Sequence, residues 1–493
     1  MIAASHPILS CDEARELEAR RLGGDEAKEW AAMQQAGRAI AEAALRDFEE
    51  IGGFRANGRV LVLVGKGHNG GDALIAATEV LRRFPEATAD IVFVFGERSM
   101  RPLAQRAWRE ALDLERVEVR SAERLARNYE LCLDGIFGFQ FRPPAEERVK
   151  SLLAQANALA VRLRAAVDLP SAGLFRADFT YATGSVKRPV IESEMAGRVR
   201  YLDLGFFSGE AQGGNERVLT PAVLGRLAGW REARSDKRSF RHVFVLAGSR
   251  NYPGAAMMTV QAALKAGAGL VTAFVPESVA AAFAAHVPEA IWVAWPETPD
   301  GGLALEGERL LHERIERADA LVIGPGIGRE RETMALVKGI VSSVTVPVVL
   351  DADALQLEIV RAAKSPCIVT PHAGEFQRIA AGKTLGECAA ETGAVVVLKG
   401  PVTRVANEAT VYHSVYGGPV LARGGSGDLL AGMIGTMLAQ NASDPVLAAA
   451  RGVVWHGLAA EALARRRGQV AVRTTEVLEE LGTVLREEAG NTE

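Results

Sequence analysis

Short runs of consecutive apolar residues, separated by helical patterns, recur along the first half of this chain. The clearest run covers residues 59–64 (RVLVLV), and similar runs cover 91–95, 131–133 and 165–167. A strand without polar alternation is buried on both faces, which is typical of parallel strands covered by helices on either side. The pattern therefore predicts an α/β domain built on a mainly parallel sheet.

Helix signals occupy the intervals between these strands. Ser10, with Glu13 three residues later, has the spacing of a capping box and predicts a helix to about Arg21. A second helix is predicted over about 28–48, because apolar residues such as Trp30, Met33 and Ile40 fall on one face of a helix there. After the first strand, we predict a glycine turn over 65–71 and then a helix over 72–84.

The same alternation resumes in the second half of the chain, after a polar and charged interval. The chain has 493 residues, which is too many for one compact core. We therefore predict two α/β domains, residues 1–220 and residues 235–490. The strands predicted for the second domain cover 242–247, 270–275, 320–323, 346–350, 367–370 and 395–398, and a helix is predicted over 254–266.

Composition narrows the class of protein. The net charge is −4 with no long run of either sign, so binding to nucleic acid or to an anionic membrane has no electrostatic support. We see no apolar run long enough to span a bilayer and no signal peptide. The cysteines do not have metal-type spacing, which favours a reducing cytoplasm; they are Cys11, Cys132, Cys367 and Cys388.

Residues 424–428 (GGSGD) place glycines next to a carboxylate at the start of a predicted helix. Backbone N–H groups at a helix N-terminus bind anions, and glycines let a ligand approach them closely. Asp428 could then take a proton from a hydroxyl directed at a bound phosphate. A glycine-rich helix entry with Asp428 as an ordinary cap residue is the alternative, and the pentapeptide alone leaves both open.

Further polar motifs follow the predicted strands of the second half. They include GPGIG at 324–328, DADA at 351–354, TPHAGE at 370–375 and KGPVT at 399–403. Backbone amides for phosphates, a lysine for charge, and carboxylates for Mg²⁺ and a base are what a nucleotide site requires. Taken together, these motifs predict such a site at the edge of the second sheet.

The first half has a comparable set of strand-end residues. The loop 65–72 (GKGHNGGD) fits neither common dinucleotide nor Walker pattern, but its position indicates a phosphate or nucleotide loop. Oxygen ligands from Asn69, Asp134 and Ser171 would suit a hard cation if they meet at one sheet edge. Each of these residues alone could instead be a cap or a turn residue.

Three motifs in the first half, VLVLVGKGHNGGD, LDGIFGFQFRP and VDLPSAGL, resemble the NAD(P)H-hydrate epimerase domain over about residues 5–215. The resemblance implies a Rossmann-like, three-layer α/β/α fold. It also implies a potassium ion held by Asn69, Asp134 and Ser171, and a catalytic role for Asp168. The implied substrate-binding residues are His68, Asn69, Gly70, Gly71, Asp72, Gly138, Phe139, Gln140 and Asp168.

The chain departs from that family at several of these positions. His68 replaces the usual Asn, Phe139-Gln140 replaces Thr-Gly, and Ala172 is inserted before Gly173. Replacing Thr-Gly by Phe139-Gln140 adds side-chain bulk to a substrate loop and removes the backbone freedom that the glycine would give. A second reading therefore stays open, in which the first half is a non-catalytic binding or assembly module.

The motifs of the second half, read in order over about 235–485, closely resemble the ADP/ATP-dependent NAD(P)H-hydrate dehydratase, a ribokinase-like domain. The resemblance implies that Asp428 is the catalytic base and that Glu375 is associated with Mg²⁺. Ala255, Gly326, His372 and Asp428 match hydrate-contacting positions. The positions matching the ADP site are Lys399, Gly400, Pro401, Val402, Thr403, Gly424, Gly425, Ser426 and Gly427.

The two resemblances together imply a bifunctional enzyme that repairs hydrated nicotinamide nucleotides. Its substrates would be NADHX and NADPHX, the hydrates of NADH and NADPH, and ADP or ATP would be the co-substrate. Its cofactors would be K⁺ and Mg²⁺. A cytoplasmic homo-oligomer is expected, by resemblance. The alternative for the second half is a small-molecule kinase of the ribokinase superfamily, which shares the GxGD signature.

Overall fold

The computed structural model describes residues 1–208 and 213–487. These residues divide into two compact units. The first unit contains His6–Gly213 with Ala464–Gln469, and the second contains Met1–Ser5, Gly214–Leu463 and the chain from Val470 onward. Residues 209–212, in the polar interval, and 488–490, at the end of the predicted second domain, lie outside the described residues.

The first unit is built on a parallel sheet with strand order β4-β3-β2-β5-β6-β7-β9. Beside it, β1 pairs in parallel with β8 through Ile8 and Leu9. The strands are β1 (Ser5–Leu9), β2 (Arg59–Val64), β3 (Thr88–Phe93), β4 (Val117–Val119), β5 (Asn128–Gly135), β6 (Ala160–Val167), β7 (Phe179–Thr183), β8 (Val186–Lys187) and β9 (Arg198–Leu202).

Helices cover both faces of this sheet, as the continuous apolar strands require. Val60, Val62 and Val64 pack into the core formed with α2, α3 and α4, whereas Leu61 and Leu63 pack into the core formed with α5. The predicted capping box at Ser10 is present. The helices are α1 (Cys11–Leu22), α2 (Glu26–Phe48), α3 (His68–Arg83), α4 (Pro102–Leu112), α5 (Glu147–Ala158) and α6 (Arg188–Glu192).

The second unit contains a mixed sheet with strand order β13-β12-β11-β14-β15-β16-β17-β18-β19-β10. Its pairs are parallel except for β17–β18 and β18–β19, which form antiparallel hairpins. The strands are β10 (Glu216–Leu219), β11 (His242–Leu246), β12 (Leu270–Pro276), β13 (Ile291–Trp295), β14 (Ala320–Ile323), β15 (Val348–Leu350), β16 (Cys367–Val369), β17 (Val395–Leu398), β18 (Thr403–Ala406) and β19 (Val411–Ser414).

Helices again lie on both faces. One face packs on α10 to α13 through a large apolar core, and the other packs on α7 and α14, where Gly435 of α14 lies against Val322 of β14. The helices are α7 (Pro253–Lys265), α8 (Glu277–His286), α9 (Glu308–His312), α10 (Arg331–Ser343), α11 (Leu357–Val360), α12 (Ala373–Ala380), α13 (Leu385–Thr392), α14 (Ser426–Gln440), α15 (Pro445–Arg467) and α16 (Leu481–Glu487).

The fold class predicted from the sequence, two α/β units with mainly parallel sheets, is confirmed. Two local expectations are wrong. The helix after β2 begins at His68, not at residue 72. Gly70 and Gly71 do not form a turn; they lie inside the helix, where the absence of a side chain lets them pack closely against Gly65 and Met33. Helix α15 is long and apolar enough to cross a membrane, but 83% of that apolar window is buried in the fold, as in a core helix.

Candidate active sites

The loops that follow β2, β5 and β6 enclose a cavity of about 460 Å³ in the first unit. Since these strands are parallel neighbours, their carboxyl ends meet at one edge of the sheet, where open α/β sheets bind ligands. Most of the predicted epimerase substrate residues line this cavity: His68, Asn69, Asp72, Gly138, Phe139, Gln140 and Asp168. Gly70 and Gly71 lie in the first turn of α3, behind that surface.

A buried ion pair stands at the base of the cavity. The Nζ atom of Lys187 lies 2.5 Å from Oδ1 of Asp168 and also donates to the carbonyl of Thr183, and both charged side chains are almost fully buried. Burial raises the pKa of Asp168, while the ammonium of Lys187 opposes this shift. Sequence reasoning did not single out Lys187, which lies with Val186 in the two-residue strand β8 and carries no sequence signal of its role.

The Asp168 backbone is held in the left-handed region, with φ of 68°. This conformation is uncommon for a residue other than glycine and is usually maintained at functional sites by the surrounding structure. Ala172, the inserted residue, also has a positive φ of 57°. The insertion is therefore accommodated as a left-handed turn residue directly after Ser171.

Asp134 and Ser171 form a second buried polar group at the same sheet edge. The Ser171 hydroxyl donates to Oδ1 of Asp134 at 2.6 Å, and its backbone N–H donates to Oδ2 at 2.8 Å. Burial raises the pKa of Asp134 to about 6, although these hydrogen bonds lower it. Among the described residues, Asp134 has no cationic partner. A buried carboxylate surrounded by neutral donors fits a monovalent cation.

Asn69, the third predicted potassium ligand, lies between these groups and the cavity. Its Nδ2 donates to the Val167 carbonyl at 2.9 Å, which leaves the amide oxygen as an acceptor. That oxygen lies so close to Gly138 that a side chain at 138 would meet it at 2.3 Å. Gly138 is therefore required by the position of Asn69.

Charged and aromatic side chains surround the rest of the cavity. Burial lowers the pKa of His68 and raises that of Asp72 well above its usual value, with the charges of Asp168 and Glu18 adding to the Asp72 shift. Phe137 and Phe141 stack with ring centroids 4.2 Å apart. The buried Phe139 ring lies 5.2 Å from the Lys187 ammonium. One wall is therefore suited to a flat ring.

In the second unit, the predicted glycine loop leads directly into α14. Gly425, with φ of 89°, is the N-cap residue, and Asp428 lies in the first turn of the helix. The first-turn N–H groups therefore face the loop, as an anion site requires. Burial and the charge of Asp351 raise the pKa of Asp428 to about 6, while Lys399 opposes the shift.

Lys399 occupies the centre of a charged cluster at the ends of β15, β16 and β17. Its Nζ lies 2.8 Å from Oδ1 of Asp351 and 3.9 Å from Oε2 of Glu375. The Thr370 hydroxyl donates to the same Asp351 oxygen at 2.7 Å. Burial alone would lower the pKa of Lys399, but these carboxylates and Asp428 raise it overall. Lys399 is therefore a cation at neutral pH.

His372 and Glu375 form a capping box at the start of α12. The Nδ1 atom of His372 accepts from the N–H groups of Gly374 and Glu375, and Oε2 of Glu375 accepts from the His372 N–H. Among the described residues, no group of three or more His, Cys, Asp or Glu has an arrangement suited to a metal ion. Glu375 offers one carboxylate, which suits Mg²⁺ carried mainly by substrate phosphates.

The remaining predicted residues lie in two places. Gly326, with φ of 66°, approaches Ala255 so closely that a side chain at 326 would meet the Ala255 Cβ at 2.8 Å. Residues 399–402 form the turn between β17 and β18, and Thr403 begins β18. Next to Asp428, a side chain at Gly427 would come within 3.1 Å of the Lys399 Nζ. Lys399 therefore lies beside the glycine loop.

Each unit thus has its polar residues at the carboxyl edge of a mainly parallel sheet and at a helix N-terminus. This is the arrangement of an α/β enzyme that acts on phosphate-bearing small molecules. Two families match the chain: the NAD(P)H-hydrate dehydratase family over residues 243–482 and the YjeF-related protein N-terminus over residues 30–195.

Curated relatives match both halves together, and the chain belongs to the family of bifunctional NAD(P)H-hydrate repair enzymes. The enzyme of Moorella thermoacetica is 33% identical, with 92% of each chain covered. That of Gloeobacter violaceus is 36% identical, with 90% of this chain and 91% of the relative covered. A solved ADP/ATP-dependent NAD(P)H-hydrate dehydratase from Bacillus subtilis, co-crystallised with ATP and Mg²⁺, is 28% identical, covers 52% of this chain and 93% of its own, and has a TM-score of 0.46.

Proposed function

We propose that this chain returns hydrated NADH and NADPH to their normal forms. Residues 235–490 would be the ADP- or ATP-dependent dehydratase domain and residues 1–220 the epimerase domain. The observation that carries the proposal is the position of Asp428, in the first turn of α14 and electrostatically coupled to Lys399 and Asp351. A carboxylate beside a phosphate-binding helix end can activate a hydroxyl for phosphoryl transfer.

The dehydration is proposed to proceed in two steps. Asp428 removes the proton of the ring hydroxyl, whose oxygen attacks the terminal phosphorus of the nucleotide. The N–H groups of Gly424–Gly427 and the ammonium of Lys399 stabilise the negative charge on the transferred phosphoryl group. The phosphorylated carbon then loses phosphate as the ring nitrogen donates its lone pair. Loss of a proton from the neighbouring ring carbon restores the dihydronicotinamide.

The binding roles in this domain follow the resemblance and the observed positions. Ala255, Gly326 and His372 would contact the hydrate, and the 399–403 turn with the glycine loop would contact ADP or ATP. Glu375 would be the carboxylate associated with Mg²⁺, which neutralises phosphate charge when bound. The proximity of Gly326 to Ala255 supports a shared contact surface.

In the epimerase domain, the proposed substrate site is the cavity between the loops after β2, β5 and β6. Asp168 would act on the hydrated ring, with its position maintained by Lys187. Asn69, Asp134 and Ser171 would hold K⁺, which supplies a positive charge next to the buried Asp134 carboxylate. A cytoplasmic homo-oligomer remains our expectation from the family resemblance.

The test supplies the full chain with a racemic mixture of NADH hydrates, ADP or ATP, Mg²⁺ and K⁺, and follows the absorbance of restored NADH. Complete conversion, faster than spontaneous epimerisation allows, is expected when both domains are active. Conversion that halts near half would mean that the first half is a non-catalytic module. A stable phosphorylated product without NADH would instead identify a small-molecule kinase.

A further inference from the structure

The cavity of the first unit contains more carboxyl groups than the proposed reaction has so far used. Glu18, Glu29, Asp72 and Asp168 all line it. Among the described residues, only Asp168 of these four has an ion-pair partner, the ammonium of Lys187. Glu18 comes from α1 and Asp72 from the N-terminal part of α3, so separate elements of the fold bring the carboxyl groups together.

Asp72 is an independent indication that this group faces a ligand. Its side chain is more than nine-tenths buried and lines the cavity. It makes no hydrogen bond with any residue that the structure describes. Buried polar groups are almost always hydrogen-bonded, so this carboxyl takes its partner from the cavity, where water or a ligand can reach it.

The charges in the cavity divide the carboxyl groups into two kinds. Burial raises the pKa of Glu18 to about 7; Lys187 lowers it, whereas Asp168 and Glu29 raise it. Burial also raises the pKa of Asp72, with the charges of Asp168 and Glu18 adding to the shift and Lys187 opposing it. The ion pair with Lys187 favours the charged form of the Asp168 carboxyl, whereas neither Asp72 nor Glu18 has an ion-pair partner among the described residues. Such a separation within one site is typical of an acid and a base with different roles.

We propose that Glu18 is the group that transfers the proton in hydrate epimerisation. The inference rests on the proposed epimerase function and adds a catalytic residue to it. A hydroxyl leaves carbon more easily when it receives a proton and departs as water. Glu18 reaches the cavity of Asp168 from a different element, α1, and has no hydrogen-bond or ion-pair partner among the described residues, so its carboxyl is available to a bound hydroxyl. Its pKa of about 7 is consistent with giving a proton and recovering it.

The step balances without an added reactant. The Glu18 carboxyl gives its proton to the ring hydroxyl, the C–O bond breaks, and the lone pair of the ring nitrogen forms a C=N⁺ bond as water leaves. The Asp168 carboxylate stabilises this planar cation. Water then adds to either face and loses a proton, which returns to the Glu18 carboxylate. Carbon, oxygen and proton counts are unchanged, and the hydroxyl oxygen is exchanged with solvent.

The test uses the full chain without nucleotide, so that dehydration does not consume the hydrate. A single hydrate epimer is incubated in H₂¹⁸O, and chromatography with mass spectrometry follows epimer conversion and label uptake. For Glu18→Gln we expect both rates to fall roughly 10²- to 10⁴-fold. In a pH–rate profile, the wild-type rate should fall above about pH 7, because Glu18 then loses its proton, and this fall should be absent in the variant. Glu16→Gln, an exposed position on the same helix, should behave as wild type.

Each result has a distinct meaning. Wild-type conversion without ¹⁸O uptake would overturn the proposed C–O cleavage. Normal conversion by Glu18→Gln would overturn the role of Glu18 while leaving the epimerase function intact. Absence of conversion by the wild type would overturn the epimerase function itself. Retained dehydratase activity and melting temperature in Glu18→Gln would exclude misfolding, and partial recovery by Glu18→Asp would support proton transfer.

Discussion

Lys399 and Asp351 directly follow two different strands of the second unit, β17 and β15, and form an ion pair, with Nζ 2.8 Å from Oδ1. The pair connects the turn after β17 with the loop after β15, next to the glycine loop that carries Asp428. Burial raises the pKa of Asp428, the charge of Asp351 raises it further, and Lys399 lowers it. The basicity of the proposed catalytic carboxylate is therefore set by neighbours that are distant in sequence.

Asp428→Asn should abolish most dehydratase activity while leaving the fold intact. An amide cannot accept the hydroxyl proton, and loss of a general base lowers turnover by about 10²- to 10⁴-fold. In the wild type, a base with a pKa of about 6 is active above that value, so kcat/KM should fall as the pH drops below 6. NADH formation across a pH series measures both effects. Near-normal turnover by the variant would contradict the assignment.

Asp351→Asn should shift the acidic limb of that profile to lower pH. Removing the negative charge of Asp351 removes one cause of the raised pKa of Asp428, and a less basic Asp428 is a weaker base. We expect turnover to fall on the order of tenfold, which corresponds to about 1.4 kcal/mol in the barrier. An unchanged limb would show that Asp351 acts only on the structure. Asp300→Asn, at an exposed position outside the site motifs, is the matched control.

Gly425→Ala should weaken nucleotide binding more than Gly424→Ala. Gly425 has a φ of 89°, and a side chain there would meet the sulfur of Met258 at 2.4 Å, whereas a side chain at Gly424 would meet nothing within 4 Å. The left-handed backbone alone costs a non-glycine residue roughly 1–2 kcal/mol. The KM for ADP and the melting temperature should therefore both change more at 425. Equal effects would contradict the role of the Gly425 turn.

Potassium should raise the melting temperature of the wild type relative to a large organic cation at equal ionic strength. A cation bound beside Asp134 offsets the cost of its buried charge, and ligands that bind the folded state stabilise it. Asp134→Asn should lose this difference, while Asp113→Asn, at an exposed position after α4, should keep it. Thermal unfolding in KCl and in tetramethylammonium chloride makes the comparison. A potassium effect that survives in Asp134→Asn would place the cation elsewhere.

Much of the fold followed from local patterns. The predicted strand at 320–323 and that at 395–398 have the observed bounds, because each is a short apolar run followed by glycine or charge. The hairpin strands Thr403–Ala406 and Val411–Ser414 were not predicted. Their residues are partly polar, and antiparallel neighbours stabilise them as strands.

Local sequence patterns were enough to predict two α/β units, the strand-end positions of Asp134, Asp168 and Lys399, and the helix-start position of Asp428, since periodicity and chain order are local properties. Only the tertiary structure decided which of these groups are paired. Asp351 meets Lys399 because β15, β16 and β17 are parallel neighbours whose carboxyl ends lie at one sheet edge. Lys187 meets Asp168 from β8, which pairs with β1 and not with β6. Burial there, which no single segment encodes, gives Glu18 and Asp428 pKa values of about 7 and about 6.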